Sequence, residues 1–256
     1  MRSIYILLIL ASVLSSCNLY DAKHAKELNK LGISCMELGD KKCAIANFLQ
    51  ASQAGAIPDS DRTIYLENLG QEYSGFKLDS AKYYYGRAAE LNGRNTVQWL
   101  YIMAKMDLLD GHTDQALSRL TLAYAKDPRK MGVNNLLGAL YMGDYGREYL
   151  DPHKALKYNL YCYEVNKRVR VEFLLARNYY ELNDMDHALP LFEDAEKKAP
   201  QNSNFKGSLI MVYQELGMDS LANPLLEQIK ARDSGTYNII VNSRIRKGQH
   251  GLVWSR

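Results

Sequence analysis

Apolar residues recur along the chain three and four positions apart, in paired segments separated by short polar turns, the pattern of amphipathic helices. The clearest pair covers residues 25–58. Leu28 and Leu31-Gly32 mark one helix and Gly39-Asp40 the turn; Ala44, Phe48 and Ala51 stripe a second helix that Pro58 ends. Gly32 and Ala44 are small, which lets two antiparallel arms approach closely, and Phe48 fills the space against the next hairpin. The spacing returns in 63–96 with Leu66, Leu69-Gly70, Tyr73, Ala81, Tyr85 and Ala88, one residue short in the second arm. Residues 97–130 repeat it with Trp99-Leu100, Met103-Ala104, Gly111, Ala116, Leu120, Ala123 and an Asp127-Pro128 stop. Residues 169–202 hold Leu175-Ala176, Tyr179, Asn183, Ala188, Phe192, Ala195 and Pro200; residues 203–236 hold Leu209-Ile210, Tyr213, Gly217, Ala222, Leu226 and Ile229. Between them, 131–168 carries Leu137-Gly138, Tyr141 and Ala155, with extra residues in a turn from Gly143 to Pro152.

Six copies in near-continuous register cover 25–236, above the three or so that a self-supporting stack requires. Their order of Leu-Gly, Tyr, Ala-x3-Phe and a closing Pro resembles the tetratricopeptide repeat. The long-turned copy at 131–168 resembles its Sel1-like variant. The resemblance implies an all-α fold, a right-handed superhelical solenoid of about six helix-turn-helix repeats whose first helices line a concave face. It rests on positions that hold helices together, so it implies a binding scaffold and no particular chemistry. Helix-end prolines are missing from 131–168 and 203–236. Tyr237, Ile240, Val241 and Ile245 share one helical face, which suits a cap on the end of the stack within a C-terminal segment, 237–256. Gly248 and Gly251 then interrupt the pattern, and Leu252-Val253-Trp254 forms an aromatic-tipped tail for docking on a partner or on the protein's own groove.

The first residues break from this pattern. Arg2 precedes an apolar run from Ile4 to Leu14, too short to span a hydrocarbon core of ~30 Å, and small residues follow. Leu14-Ser15-Ser16-Cys17 resembles the lipobox of bacterial lipoproteins. The resemblance implies a signal peptide over 1–16, lipid (including palmitate) on Cys17, and a short tether over 17–24. It implies a lipid-anchored protein of the bacterial cell envelope; Asn18 after the cysteine points to the outer membrane, facing the periplasm.

Composition adds little to this and excludes more. A formal net charge of +3 gives no reason to invoke nucleic acid. Nineteen tyrosines against five phenylalanines suit packing positions with one wet edge, and also a peptide groove. With Cys17 lipidated, Cys35, Cys43 and Cys162 leave an odd thiol in an oxidising compartment. Cys35 and Cys43 fall on opposite arms of one hairpin, where a bridge is conceivable, although unpaired buried cysteine is the commoner state. His24, His112, His153, His187 and His250 have no metal-ligand spacing, and neither a P-loop, a dinucleotide fingerprint nor G-x-S-x-G is present. Neither enzyme activity, nor a cofactor, nor a metal is expected.

What remains is surface. The first-helix residues pointing away from their own second helix are Lys26, Asn29, Ile33, Glu67, Gln71, Tyr101, Lys105, Asn135, Arg170, Phe173, Arg177 and Tyr180. Amides, rings and basic groups in this mixture suit an extended peptide. Tyr101, Lys105, Asn135, Arg170, Phe173, Arg177 and Tyr180 are the partner-binding candidates; the last four form one stripe with Arg and aromatic character, and Phe173 and Arg177 are expected on the open surface. The family's carboxylate clamp for chaperone tails is not carried over, because Ile33 stands where it wants an Asn. The architecture resembles repeat lipoproteins that act as pilotins or gather cell-wall enzymes, which makes an envelope protein or peptide the expected partner. The alternatives are a structural oligomerising spacer and, less favoured, an enzyme or small-molecule binder using the groove.

Overall fold

The computed structural model describes residues 21–245, with side chains to 242. Cys17, the leader over 1–16 and the Leu252-Val253-Trp254 tail lie outside the described residues. The fold is all-α. Helix α1 (residues 21–37) is followed by α2 (Lys41–Gln53), α3 (Asp59–Tyr73), α4 (Leu78–Glu90), α5 (Val97–Leu109) and α6 (Thr113–Lys126). Then come α7 (Met131–Tyr141), α8 (Pro152–Val165), α9 (Val169–Glu181), α10 (Met185–Lys198), α11 (Ser203–Glu215), α12 (Asp219–Arg232) and α13 (Ser234–Ile245). The chain divides into two compact units, Met1–Ala123 and Tyr124–Arg256, and within each, successive helices pack in pairs. None of the described helices is long and apolar enough to cross a membrane.

Local chemistry sets the hairpins. At the first turn Gly39 takes φ +79°, a left-handed conformation that costs glycine nothing, and Asp40 then accepts the Cys43 N–H at 3.0 Å to start α2. Asn183 fills the left-handed place before α10, and Asp184 caps that helix through the His187 N–H at 3.3 Å. Asp151 caps α8 through the Lys154 N–H, with Pro152 supplying the preset first-turn φ. The sharp first turn brings Cys35 and Cys43 to a Cα–Cα distance of 5.7 Å, and a disulfide joins them. The bridge is therefore formed, where the commoner expectation was two unpaired core thiols. Cys162 is the free, buried thiol, and burial alone pushes it up to about 12.

The cores follow the small-and-large alternation. Ala44, Ala81, Ala116, Ala155, Ala188 and Ala222, one in each second helix, are all 0% exposed. A methyl added at Gly32 would lie 2.5 Å from the Phe48 ring, and one at Gly70 would lie 2.6 Å from Tyr85. Those rings seal one hairpin against its neighbour, each worth ~1.5–3 kcal/mol of apolar burial. At the matching place in α8 stands Asn159, buried under Gly138, donating to Asn178 Oδ1 at 2.8 Å; Asn178 in turn donates to the Pro152 carbonyl at 2.8 Å. This interior pair is satisfied, so it costs little to bury. Helix α13 closes the C-terminal unit: its Thr236 and Ile240 lie over Gly207, and Ile240 is 1% exposed.

Candidate partner-binding site

The candidates fall into two groups, one in each unit. In the N-terminal unit they form a strip across α3, α4 and α5. Tyr101 and Lys105 are partly buried, and the Lys105 Nζ sits 4.8 Å from the Tyr101 ring centroid and 5.1 Å from that of Tyr85. The same ammonium lies 3.6 Å from Glu67 Oε1, and Gln98 donates to the other oxygen of that carboxylate. The Tyr85 hydroxyl reaches Gln71 Oε1 at 3.4 Å. A cation over two ring faces beside a carboxylate is held by quadrupole and charge together. The strip sets amide, ring, ammonium and carboxylate side by side, with Gln71, Gln98 and Tyr101 partly exposed, the Lys105 side chain only 12% exposed, and Glu67 and Tyr85 buried beneath them.

In the C-terminal unit Asn135 is half-buried on α7, and α9 carries the remaining candidates. Arg170 is exposed. Phe173 and Arg177 are not on the open surface: they are 8% and 5% exposed. Phe173 lies with its ring centroid 4.5 Å from Phe205 at the start of α11 and 5.7 Å from Phe192 of α10. Arg177 makes a two-pronged ion pair with Asp144, its Nη2 2.6 Å from Oδ1 and its Nη1 3.2 Å from Oδ2. The physical reason is the neighbouring repeats. Asp144 belongs to the lengthened turn after α7 and reaches forward to the guanidinium, while α11 lays Phe205 over Phe173. Tyr180 is half-buried and donates its hydroxyl to the Glu215 carboxylate; burial first, and then that carboxylate, push its phenol above the usual value. The stripe of four is thus split, with Phe173 and Tyr180 both set against Phe192 and Arg170 left at the surface.

Two further features escaped sequence reasoning. Tyr73, Tyr84 and Tyr83 stack and edge against one another with Phe76 beside Tyr73, and both Phe76 and Tyr83 are 57% exposed. On the second-helix side of the C-terminal unit, Leu160 and Tyr163 of α8 face Pro190 and Leu191 of α10 across a groove of about 290 Å³ floored by Leu175 and Tyr179. Pro190, the sixth residue of α10, lies in its wall. Among the described residues no group of three or more His, Cys, Asp or Glu is placed to hold a metal ion.

The pairing of these helices is that of tetratricopeptide repeat proteins. The chain is similar to a tetratricopeptide repeat protein from Parabacteroides merdae, with a TM-score of 0.51 and 18% identity over 86% of this chain and 85% of that one. It is similar also to the pilF protein of Pseudomonas aeruginosa, with a TM-score of 0.52 and 15% identity over 89% of this chain and 99% of that one. At such identities the likeness is one of fold. No protein-family model matches the chain, and comparison with curated proteins finds no match.

Proposed function

We propose that this chain is a lipid-anchored scaffold of the bacterial cell envelope that binds a protein or peptide along the first helices of its repeats. The observation that carries the binding reading is the strip of Gln71, Tyr85, Lys105, Glu67, Gln98 and Tyr101. Its partly exposed members, Gln71, Gln98 and Tyr101, present amides and a ring edge to an incoming peptide, held in place over the buried Glu67 and Tyr85. Two features support the envelope: the Leu14-Ser15-Ser16-Cys17 segment, and the Cys35–Cys43 disulfide, which suits an oxidising compartment.

Two measurements test this reading. Cys17→Ala should abolish incorporation of radiolabelled palmitate and release the protein from membranes; equal labelling of variant and parent rejects the anchor. A partner captured from detergent-solubilised envelopes should then lose about tenfold or more in affinity to Lys105→Gln or Tyr101→Ala, with helicity intact. Full affinity in both variants rejects the strip as the binding site.

A further inference from the structure

The lining of the groove between α8 and α10 is apolar in one part and rich in rings and acceptors in the other. Leu160, Leu175, Pro190 and Leu191 supply the apolar part, and the 290 Å³ falls at the bottom of the range for small-molecule pockets, ~300–1,000 Å³. That is room for one long side chain. Tyr163 and Tyr179 supply rings, and Asp186 and His187 complete the lining. The His187 ring stacks on Tyr179 with centroids 4.9 Å apart, and its Nδ1 lies 2.8 Å from both Asp184 carboxylate oxygens. Burial first, then the Asp184 carboxylate and the Tyr163 phenol, push the Tyr179 phenol above its ordinary value, so these groups share one neighbourhood.

The two aspartates differ. Asp184 is committed twice, to the His187 N–H as the cap of α10 and to the His187 ring. Asp186 stands exposed in the first turn of the same helix, and its carboxylate has no ion pair or hydrogen bond among the described residues. On the α8 side a cation is already in place: Lys167 Nζ lies 5.2 Å from the Tyr163 ring centroid. The quadrupole of a tyrosine ring attracts cations, so this wall is suited to them. A slot lined by leucines, rings and an uncommitted carboxylate asks for a side chain with a long apolar stem and a head that only donates. Lysine and arginine both answer to that. Arginine answers better, because its planar guanidinium can lie on a ring while two of its N–H groups meet one carboxylate.

We propose that the groove between α8 and α10 binds an arginine side chain of a partner protein, its stem against Leu160, Leu175 and Leu191 and its guanidinium paired with Asp186 beside the tyrosine rings. The site belongs to the C-terminal unit and to the second helices. The inference therefore goes beyond the binding reading and does not depend on the strip across α3, α4 and α5.

The test titrates N-acetyl-arginine methylamide into the full chain carrying labelled leucine methyls, followed by NMR. The Leu160, Leu175 and Leu191 signals should shift together and saturate. The citrulline analogue, of the same shape but uncharged, and the lysine analogue should each bind about fivefold or more weakly. Asp186→Asn, at an exposed position, leaves the fold intact; it should weaken the arginine probe by a similar factor and leave the citrulline probe unchanged. Leucine signals that no probe moves overturn the proposal, as does arginine binding indifferent to Asp186→Asn. Citrulline binding as well as arginine reduces the groove to an apolar slot, and lysine binding as well as arginine removes the guanidinium; either overturns the assignment. Leucine signals that move on dilution without any probe, with a monomer–dimer shift in sedimentation, overturn a foreign partner and assign the groove to a second copy.

Discussion

Tyr101 and Lys105 are the fifth and ninth residues of α5; Phe173 and Arg177 are the fifth and ninth residues of α9. Each pair is a ring followed by a cation, on the same face of a first helix. Their fates differ. Tyr101 and Lys105 keep some exposed surface, 12% for the Lys105 side chain, and lie against each other, against Tyr85 and against Glu67. Phe173 and Arg177 are sealed, one between Phe192 and Phe205 and the other in a two-pronged pair with Asp144. Place in the repeat sets the direction of a side chain; the adjoining repeat decides whether anything covers it. A lengthened turn that delivers one aspartate turns an outward position of the first helix into a structural one.

The comparison can be broken most sharply at the rings. Phe173→Ala empties a core site and should cost about 3–5 kcal/mol, whereas Tyr101→Ala, at a half-buried site, should cost about 1 kcal/mol. Urea unfolding of both variants measures the gap, and equal losses would erase the distinction between the two faces. At the cations the separation narrows. A double-mutant cycle on Arg177 and Asp144 should give a coupling of about 1–3 kcal/mol, discounted from a fully buried pair because the Asp144 side chain is 28% exposed. The same cycle on Lys105 and Glu67, whose side chains are 12% and 10% exposed, should give the smaller coupling, about 1 kcal/mol, since their one ion-pair contact is long at 3.6 Å and Gln98 keeps the carboxylate partnered when the lysine is gone.

The smallest effect lies at the end of the C-terminal unit. Asp233 begins α13 by accepting the Thr236 N–H at 3.0 Å and its hydroxyl at 2.8 Å, and these bonds, the backbone one foremost, hold its carboxyl below the ordinary value. A carboxyl lowered in the folded state contributes stability above its unfolded pKa and loses it as pH falls through the folded one. Asp233→Ala should therefore cost about 1 kcal/mol at pH 7, and the difference from the parent should vanish in acid, below the ordinary carboxylate range near 3.8. Amide exchange along α13 against pH measures it; a pH-independent difference would mean that the cap does not act through its charge. Because α13 buries its own Ile240 and lies over Gly207 of α11, exchange there reports how firmly the unit is closed.

How far the sequence could be read varied with the range of the interaction involved. Gly32 with Phe48, and Gly70 with Tyr85, are pairs within one hairpin, and their spacing announces them because helix geometry carries i to its partner without help from elsewhere. The Cys35–Cys43 bridge was open in the sequence because eight residues of separation allow many Cα distances until Gly39 sets the turn. Phe173 and Arg177 are expected on the open surface and are buried instead, since Asp144 and Phe205, which cover them, belong to other hairpins. The groove beneath Pro190 was missed for a similar reason: its walls come from α8 and α10, which are not consecutive helices.

The sequence alone therefore determined the class of the fold: paired helices repeated about six times, turns at Gly39-Asp40 and Asn183, and small alanines at the helix contacts. These depend on backbone preference and on periodicity, both local. Only the tertiary structure decided which of the outward-pointing residues remain available. Burial of an outward side chain depends on what the next hairpin brings to it, and no spacing within its own repeat records that the turn after α7 offers an aspartate or that α11 opens with a phenylalanine.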